Sequence, residues 1–263
     1  MSGGRAQSAW SAAQYLKFED ERTRPARELL ARVPLEAPKL VADLGCAPAT
    51  STALLAERFP DARVVGVDSD ADMLANARKR LPRVEYVQAD IVDWSPEPGT
   101  DLIYSNATFQ WVPDHLGQLA RLFAALAPGG VLAVQMPDNM AEPAQTLMRE
   151  AARAGAWGTK LAAAMDSRDA LHSVGGYYDR LVGLSARLDI WHTHYQHKMD
   201  SAAAIVEWFK GSSLRPFLDP LDAEERRGFV AAYESRLADA YPARADGARL
   251  LRFPRLFIVA VRG

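Results

Sequence analysis

The run VADLGCAPATST at Val41–Thr52, followed by RVVGVDSD at Arg63–Asp70, constrains the fold more than any other feature of this chain. An apolar stretch ends in Asp43, a tight turn of small residues follows, and hydroxyl side chains open the next helix. A second apolar stretch ends in Asp68, 25 positions after Asp43. A parallel α/β sheet presents a nucleoside in this way: the first turn lets backbone approach the ligand, and the second acid meets the ribose hydroxyls.

Length and charge narrow the rest. With 263 residues the chain can bury one substantial core, and it fits a single α/β domain with insertions. Thirty-one basic residues against 33 acidic ones give a formal charge of −2. No lysine- or arginine-rich block points to nucleic acid or to an anionic membrane. A single cysteine, Cys46, excludes an intrachain disulfide and a multi-cysteine zinc site. No apolar run approaches the roughly 20 residues needed to cross a bilayer. The first residues are small and polar, without the apolar core of a signal peptide. The expectation is a soluble, cytoplasmic protein with no nucleic-acid or membrane partner.

Helical and strand signals then alternate, as in a parallel sheet with crossover helices. A charged, periodic helix covers Glu19–Arg32, with Pro25 tolerable only near its start. Strands are expected at Lys39–Leu44, Arg63–Asp68, Val84–Ala89, Thr100–Ser105 and Gly129–Met136. Helices at Ser51–Phe59, Ala71–Leu81 and His115–Leu126 alternate with them. From Pro137 to Gly183 the signals are helical, with Gly175-Gly176 as a break. Arg187–His197 and Leu250–Val261 read as two further strands, separated by helical stretches at Ala202–Lys210 and Ala223–Ala240. Neighbouring antiparallel strands need only a short turn, so a connection of this length serves something else, and it is expected to form a cap. The domain reading is one unit, 1–263, with a lid at 1–32 and cap segments at about 137–183 and 198–248.

The small residues of the first turn are spaced G-x-A-x-A, not G-x-G-x-x-G. That disfavours a dinucleotide's pyrophosphate and suits the shorter loop used for S-adenosylmethionine, so the chain reads as a methyltransferase. Over nearly its whole length it resembles the trans-aconitate 2-methyltransferase family of class I S-adenosylmethionine enzymes. The resemblance is carried by YLKFEDERTRPARELLARVPLE, FQWVPDHL, VQMPDNMAEP, VEWFKGSSLRPFL and LLRFPRLFIVA. It implies a Rossmann-like, seven-stranded, mostly parallel sheet, with an antiparallel last strand and a helical cap inserted between the last two strands. It also implies cofactor residues. Asp43, Gly45 and Ala47 lie in the loop around the methionine moiety, and Asp68 is placed at the ribose, with Ser69 and Met73 flanking the adenosine. Asp90 and Ile91 fall at the adenine, and Asn106 at the sulfonium end. Ala47 and Ala49 stand where such loops favour glycine; an alanine in a left-handed conformation costs roughly 1–2 kcal/mol.

The chemistry implied is methyl transfer to a carboxylate of trans-aconitate, giving a monomethyl ester. A carboxylate with a pKa of about 4 is already ionised at neutral pH, so no catalytic acid or base is nominated. A tricarboxylate instead demands positive charge, best supplied by arginine. Arg22, Arg24, Arg215 and Arg255 are the candidates, with Arg252 beside the last; Tyr15 and Gln135 are further polar candidates for the substrate. His192 and His194 share a strand face and His197 falls on the other, which makes a polar strand face a better reading than a metal site. Cys46 reads as a small loop residue, and Trp111 as a pocket wall or a packing residue. Three readings stay open: the trans-aconitate enzyme, a methyltransferase of the same fold with another small acceptor, and a cofactor-binding relative without turnover.

Overall fold

The computed structural model describes residues 19–46, 48–166 and 168–263. Five apolar runs become parallel strands: β1 (Leu40–Leu44), β2 (Arg63–Asp68), β3 (Glu85–Gln88), β4 (Leu102–Asn106) and β5 (Val131–Pro137). Every residue of β5 is buried, as expected of a strand covered on both faces. Two longer strands, β6 (Ser185–Met199) and β7 (Arg249–Arg262), complete one seven-stranded sheet of order β3-β2-β1-β4-β5-β7-β6. β7 runs antiparallel to β5, from Val131 opposite Val261 to Pro137 opposite Arg255.

The helices between the strands are α1 (Glu19–Ala31), α2 (Thr50–Arg58), α3 (Ala71–Arg80), α4 (His115–Ala124) and, after β5, α7 (Val174–Leu181). α4 and α7 put their apolar faces into one core with the sheet, which includes Leu44, Val67, Phe123, Val134, Tyr177 and Ile258, while α1, α2 and α3 bury Leu29, Leu55 and Leu74. Caps set the helix starts: Asp70 accepts from the backbone of Asp72 and Met73 at α3, and Asp114 from Gly117 at α4.

After β3 at the sheet edge the chain crosses back to β4, on the other side of β1. The loops after β1 and β4 therefore leave in opposite directions, and a crevice opens at the carboxyl ends of the two strands. The backbone ties this region together, with Gly45 and Cys46 both donating to the Val67 carbonyl.

Residues 21–141, 168–196 and 252–263 form the unit that holds this sheet. The segments beginning at Glu142 and at His197 contribute a second compact unit. It contains α5 (Pro143–Ala154), α6 (Ala162–Met165), α8 (Ala202–Lys210), α9 (Arg215–Leu218) and α10 (Ala223–Ala240). An aromatic stack holds it: Phe229 lies between Phe217 and Tyr233, with Trp157 edge-on. The Tyr233 hydroxyl donates to the Ala144 carbonyl at 2.9 Å, and a capping box of Asp222 and Glu225 starts α10.

Two local expectations are corrected. Gly175 and Gly176 do not break a helix; they lie in the first turn of α7, where Ser173 caps Gly176 and intrahelical donors are not yet required. Pro25 sits inside α1 and not near its start. The backbone bond it forgoes is offset by burial of Ala26, Leu29 and Leu30 on the same helix.

Candidate active site

Asp43 ends β1 fully buried, and its Oδ2 accepts from Ser51 Oγ at 2.8 Å and Thr52 Oγ1 at 2.7 Å. Strand end and helix start are thereby locked together. Burial pushes its carboxyl up to about 6, against the two hydroxyl bonds and with a smaller push from the Asp68 charge. Its other oxygen, Oδ1, is buried with no hydrogen bond among the described residues.

Gly45 has φ +71°, and a Cβ there would lie 2.0 Å from Thr108 Oγ1, so both conformation and space demand glycine. Ala49 adopts φ 69° and is fully buried, so this alanine holds the left-handed conformation despite its methyl group. Ala47 lies outside the described residues. Cys46 is buried, and burial raises its thiol pKa, first by desolvation and then by the charges of Asp43 and Asp68. It is a packing residue, not a thiolate.

The other adenosine candidates follow along the strand ends. Asp68 closes β2 and its Oδ1 accepts from the Asp70 backbone at 3.0 Å. Ser69 is exposed, and Met73 is half-buried in the first turn of α3. Asp90 is exposed after β3, its Oδ1 turned to the Val92 amide at 3.0 Å. Ile91 puts its side chain into the core, and its carbonyl accepts from Arg121 Nη2 at 2.9 Å.

At the ends of β4 and β5 three amide side chains cluster around Ala107. Asn106 pairs in register with Gln135, whose carbonyl accepts from the Ala107 amide. Gln110 Nε2 donates to the Ala107 carbonyl at 2.6 Å. Asn106 Oδ1, Gln110 Oε1 and Gln135 Nε2 are all buried with no hydrogen bond among the described residues. Each such group costs about 1–3 kcal/mol when left unsatisfied, so three together make this place a candidate for a polar ligand.

Gln135 also accepts from Arg255 Nη1 at 3.1 Å. Arg255 is only 4% exposed, with its guanidinium 4.8 Å from the Phe253 ring centre and 6.0 Å from that of Tyr195. The Tyr195 hydroxyl donates to Glu28 at 2.5 Å, and Arg24 Nε donates to the same carboxylate at 2.7 Å while lying over the Tyr195 ring. The structure thus links three sequence candidates, Gln135, Arg255 and Arg24, through Tyr195 and Glu28. Arg24 is the outermost, with most of its side chain exposed.

The remaining candidates are placed as follows. Arg22 is half-buried two positions before Arg24, hence on a different face of α1. Arg215 lies in the second unit with Nε 3.6 Å from Asp219 Oδ2. Tyr15 falls outside the described residues. Arg252 is exposed and its Nη2 meets the His194 ring at 3.1 Å. His192 Nε2 lies 2.8 Å from Asp138 Oδ2, and His197 is buried against Trp208. No cluster of metal-ligating side chains occurs among the described residues, and no described helix is long and apolar enough to cross a membrane. Trp111 is 44% exposed beside the site and carries the Arg168 guanidinium over its ring.

Sequence reasoning missed Gln110, Glu28, Tyr195 and Arg168. FQWVPDHL drew attention to Trp111 alone, and nothing local distinguishes the other three, whose partners lie far away in the chain.

A methyltransferase-domain family model matches residues 41–130, from β1 to the turn before β5. A trans-aconitate 2-methyltransferase of Rhodopseudomonas palustris (strain HaA2) is 60% identical over 253 residues, covering 96% of this chain and 99% of its own. One of Paracidovorax citrulli (strain AAC00-1) is 57% identical over 255 residues, covering 96% and 98%. Among solved structures, the YcgJ protein of Bacillus subtilis matches with a TM-score of 0.60 at 12% identity, over 91% of this chain and 98% of its own, which is a likeness of fold. With a parallel nucleoside-type crevice, an antiparallel β7 bearing a buried arginine, and near full-length identity of this order, the chain belongs to the trans-aconitate 2-methyltransferase family.

Proposed function

We propose that this protein transfers a methyl group from S-adenosylmethionine to one carboxylate of trans-aconitate, leaving S-adenosylhomocysteine and a monomethyl ester. The observation that carries the reading is Arg255: a buried guanidinium beside the end of β5, bonded to Gln135, which itself pairs in register with Asn106, whose Oδ1 is buried with no hydrogen bond among the described residues.

The crevice fits the cofactor. Gly45 keeps its backbone bare, Asp68 offers a carboxylate to vicinal hydroxyls, and Asn106 Oδ1 is a buried acceptor awaiting a donor. Asp43, Ala47, Ser69, Met73, Asp90 and Ile91 complete the assignment. When bound, S-adenosylmethionine supplies an already activated methyl group on a sulfonium. The protein's own task is placement. Arg255 and the Nε2 donor of Gln135 hold the acceptor carboxylate by charge-assisted bonds, orient one oxygen and exclude water from it. The acceptor is ionised at neutral pH, so no residue need take a proton from it.

Arg22, Arg24, Arg215 and Tyr15 belong to the proposal as further substrate contacts. So does the domain reading, with lid 1–32 and cap segments 137–183 and 198–248, and a cytoplasmic setting with a small tricarboxylate as partner. The alternative of a relative without turnover rests on the alanines at 47 and 49. The left-handed backbone of Ala49 argues against it, because the loop keeps the path a glycine would give.

The test is a mass-resolved methyl-transfer assay with trans-aconitate beside cis-aconitate, citrate and isocitrate. A monomethyl ester formed fastest from trans-aconitate is expected. Cofactor binding without methylation of any of these acids overturns the acceptor assignment.

A further inference from the structure

Two arginines reach the carboxyl end of β5 from different elements, Arg255 bonding Gln135 and Arg168 bonding Pro137. Arg255 stands opposite Pro137 in the antiparallel register with β7. From the other direction Arg168 Nη2 donates to the Pro137 carbonyl at 2.5 Å, and its Nη1 donates to Asn139 Oδ1 at 3.2 Å. Its guanidinium also lies 5.5 Å from the ring centre of Trp111, in the segment that follows β4. Arg168 therefore reaches the same strand end as Arg255, beside the amide cluster of Asn106, Gln110 and Gln135.

The manner of its fixation matters. Pro137 and Asn139 hold the guanidinium through neutral oxygens, which fix its orientation. Asp138, the carboxylate between them in sequence, is turned to His192 at 2.8 Å. The group is half-buried, and three contacts already restrict its rotamers. Pairing with an anion then loses little further side-chain freedom, the condition under which an arginine fork binds carboxylate best.

We propose that Arg168 is a specificity-determining residue, pairing with a second carboxylate of the acceptor while Arg255 and Gln135 hold the one that is methylated. The assignment rests on the reading of the acceptor as an unsaturated tricarboxylate. It explains how the site reads more than one carboxylate: Arg255 and Arg168 stand at one strand end, and each suits a separate anionic group on one small skeleton.

The experiment compares wild type with Arg168→Ala and Arg168→Lys on trans-aconitate and on glutaconate, itaconate and mesaconate, dicarboxylates that each lack a different one of its three carboxylates. KM and kcat come from methyl transfer, and dissociation constants from calorimetry with S-adenosylhomocysteine present. For Arg168→Ala, KM and Kd for trans-aconitate are expected to rise about 10- to 100-fold, the size of a lost charged hydrogen bond, with kcat nearly unchanged. Arg168→Lys keeps the charge without the fork and recovers part of the loss. One dicarboxylate, lacking the carboxylate that Arg168 reads, binds wild type and variant equally. Equal losses on all four acids, or no loss on trans-aconitate, overturn the assignment. If Arg168→Ala does not fold, Arg168→Lys decides by the same comparison. Wild type failing to bind or methylate trans-aconitate refutes the acceptor reading itself, an outcome distinct from failure of Arg168 alone.

Discussion

Replacing Asp43 by asparagine separates the charge of the buried carboxylate from its shape. In the folded protein its pKa is about 6, against an ordinary value of 3.8, because full burial outweighs the bonds from Thr52 and Ser51. The folded state therefore holds this proton more tightly than the unfolded chain. Its contribution to stability is complete below about pH 4 and is lost as pH rises through about 6. A rise from 3.8 to about 6, at about 1.4 kcal/mol for each tenfold in proton affinity, sets the loss at about 3 kcal/mol. The asparagine side chain does not titrate, so the wild-type minus Asp43→Asn difference in unfolding free energy, from urea titrations between pH 4 and 8, isolates the effect. Residues such as Glu97, Asp222 and Asp246, whose pKa values are lowered by Arg63, by backbone amides and by Lys198 respectively, act in the opposite direction and cancel in the difference. The difference is expected to fall by about 2.5 kcal/mol across that range, since the unfolded carboxyl is already partly ionised at pH 4, with the Asp43 side-chain carbon titrating near pH 6 in its NMR spectrum. A midpoint below about 4.5, or a flat difference, refutes the claim that desolvation dominates at this site.

Gly45→Ala puts a methyl group into Thr108 at a left-handed position. The combined conformational and overpacking cost is about 2–5 kcal/mol by chemical denaturation, and a loss under about 1 kcal/mol contradicts it. Ala49→Gly relieves a similar backbone strain but gives up a buried methyl and adds unfolded-state entropy, so its net effect is expected within about 1 kcal/mol of zero. Ala42→Gly, in β1 with no strain to relieve, should cost about 1–2 kcal/mol, and equal costs for the two would show that Ala49 is unstrained. Arg255→Gln removes the buried cation, and KM for trans-aconitate is expected to rise by about two orders of magnitude or more, as two charged hydrogen bonds are lost. An unchanged KM removes Arg255 from the substrate site.

The order of strands and helices was legible because each element announces itself locally. Period-2 or continuous apolar runs mark β1 to β5, hydroxyl or acidic caps mark helix starts, and a glycine-containing turn after β1 marks the crevice. Ala202–Lys210 and Ala223–Ala240 are helices as expected, and the two late strands, neighbours in the sheet, are a few residues longer than their apolar pattern. The positions of Asp43, Gly45, Asp68 and Asn106 at strand ends follow from the same local signals. What the chain alone could not reveal is which polar groups meet. Arg255 and Gln135 touch only because β7 enters antiparallel beside β5. Glu28 meets Tyr195 across 167 positions, and Arg168 reaches the Pro137 carbonyl across 31. Such pairings depend on strand register and on where a long side chain can lie, and neither leaves a periodic trace. Local sequence therefore determined the scaffold and the crevice at the strand ends, while the arrangement of charge around Arg255 was decided by tertiary packing, which alone brings groups from β5, β6, β7 and α1 within hydrogen-bonding distance.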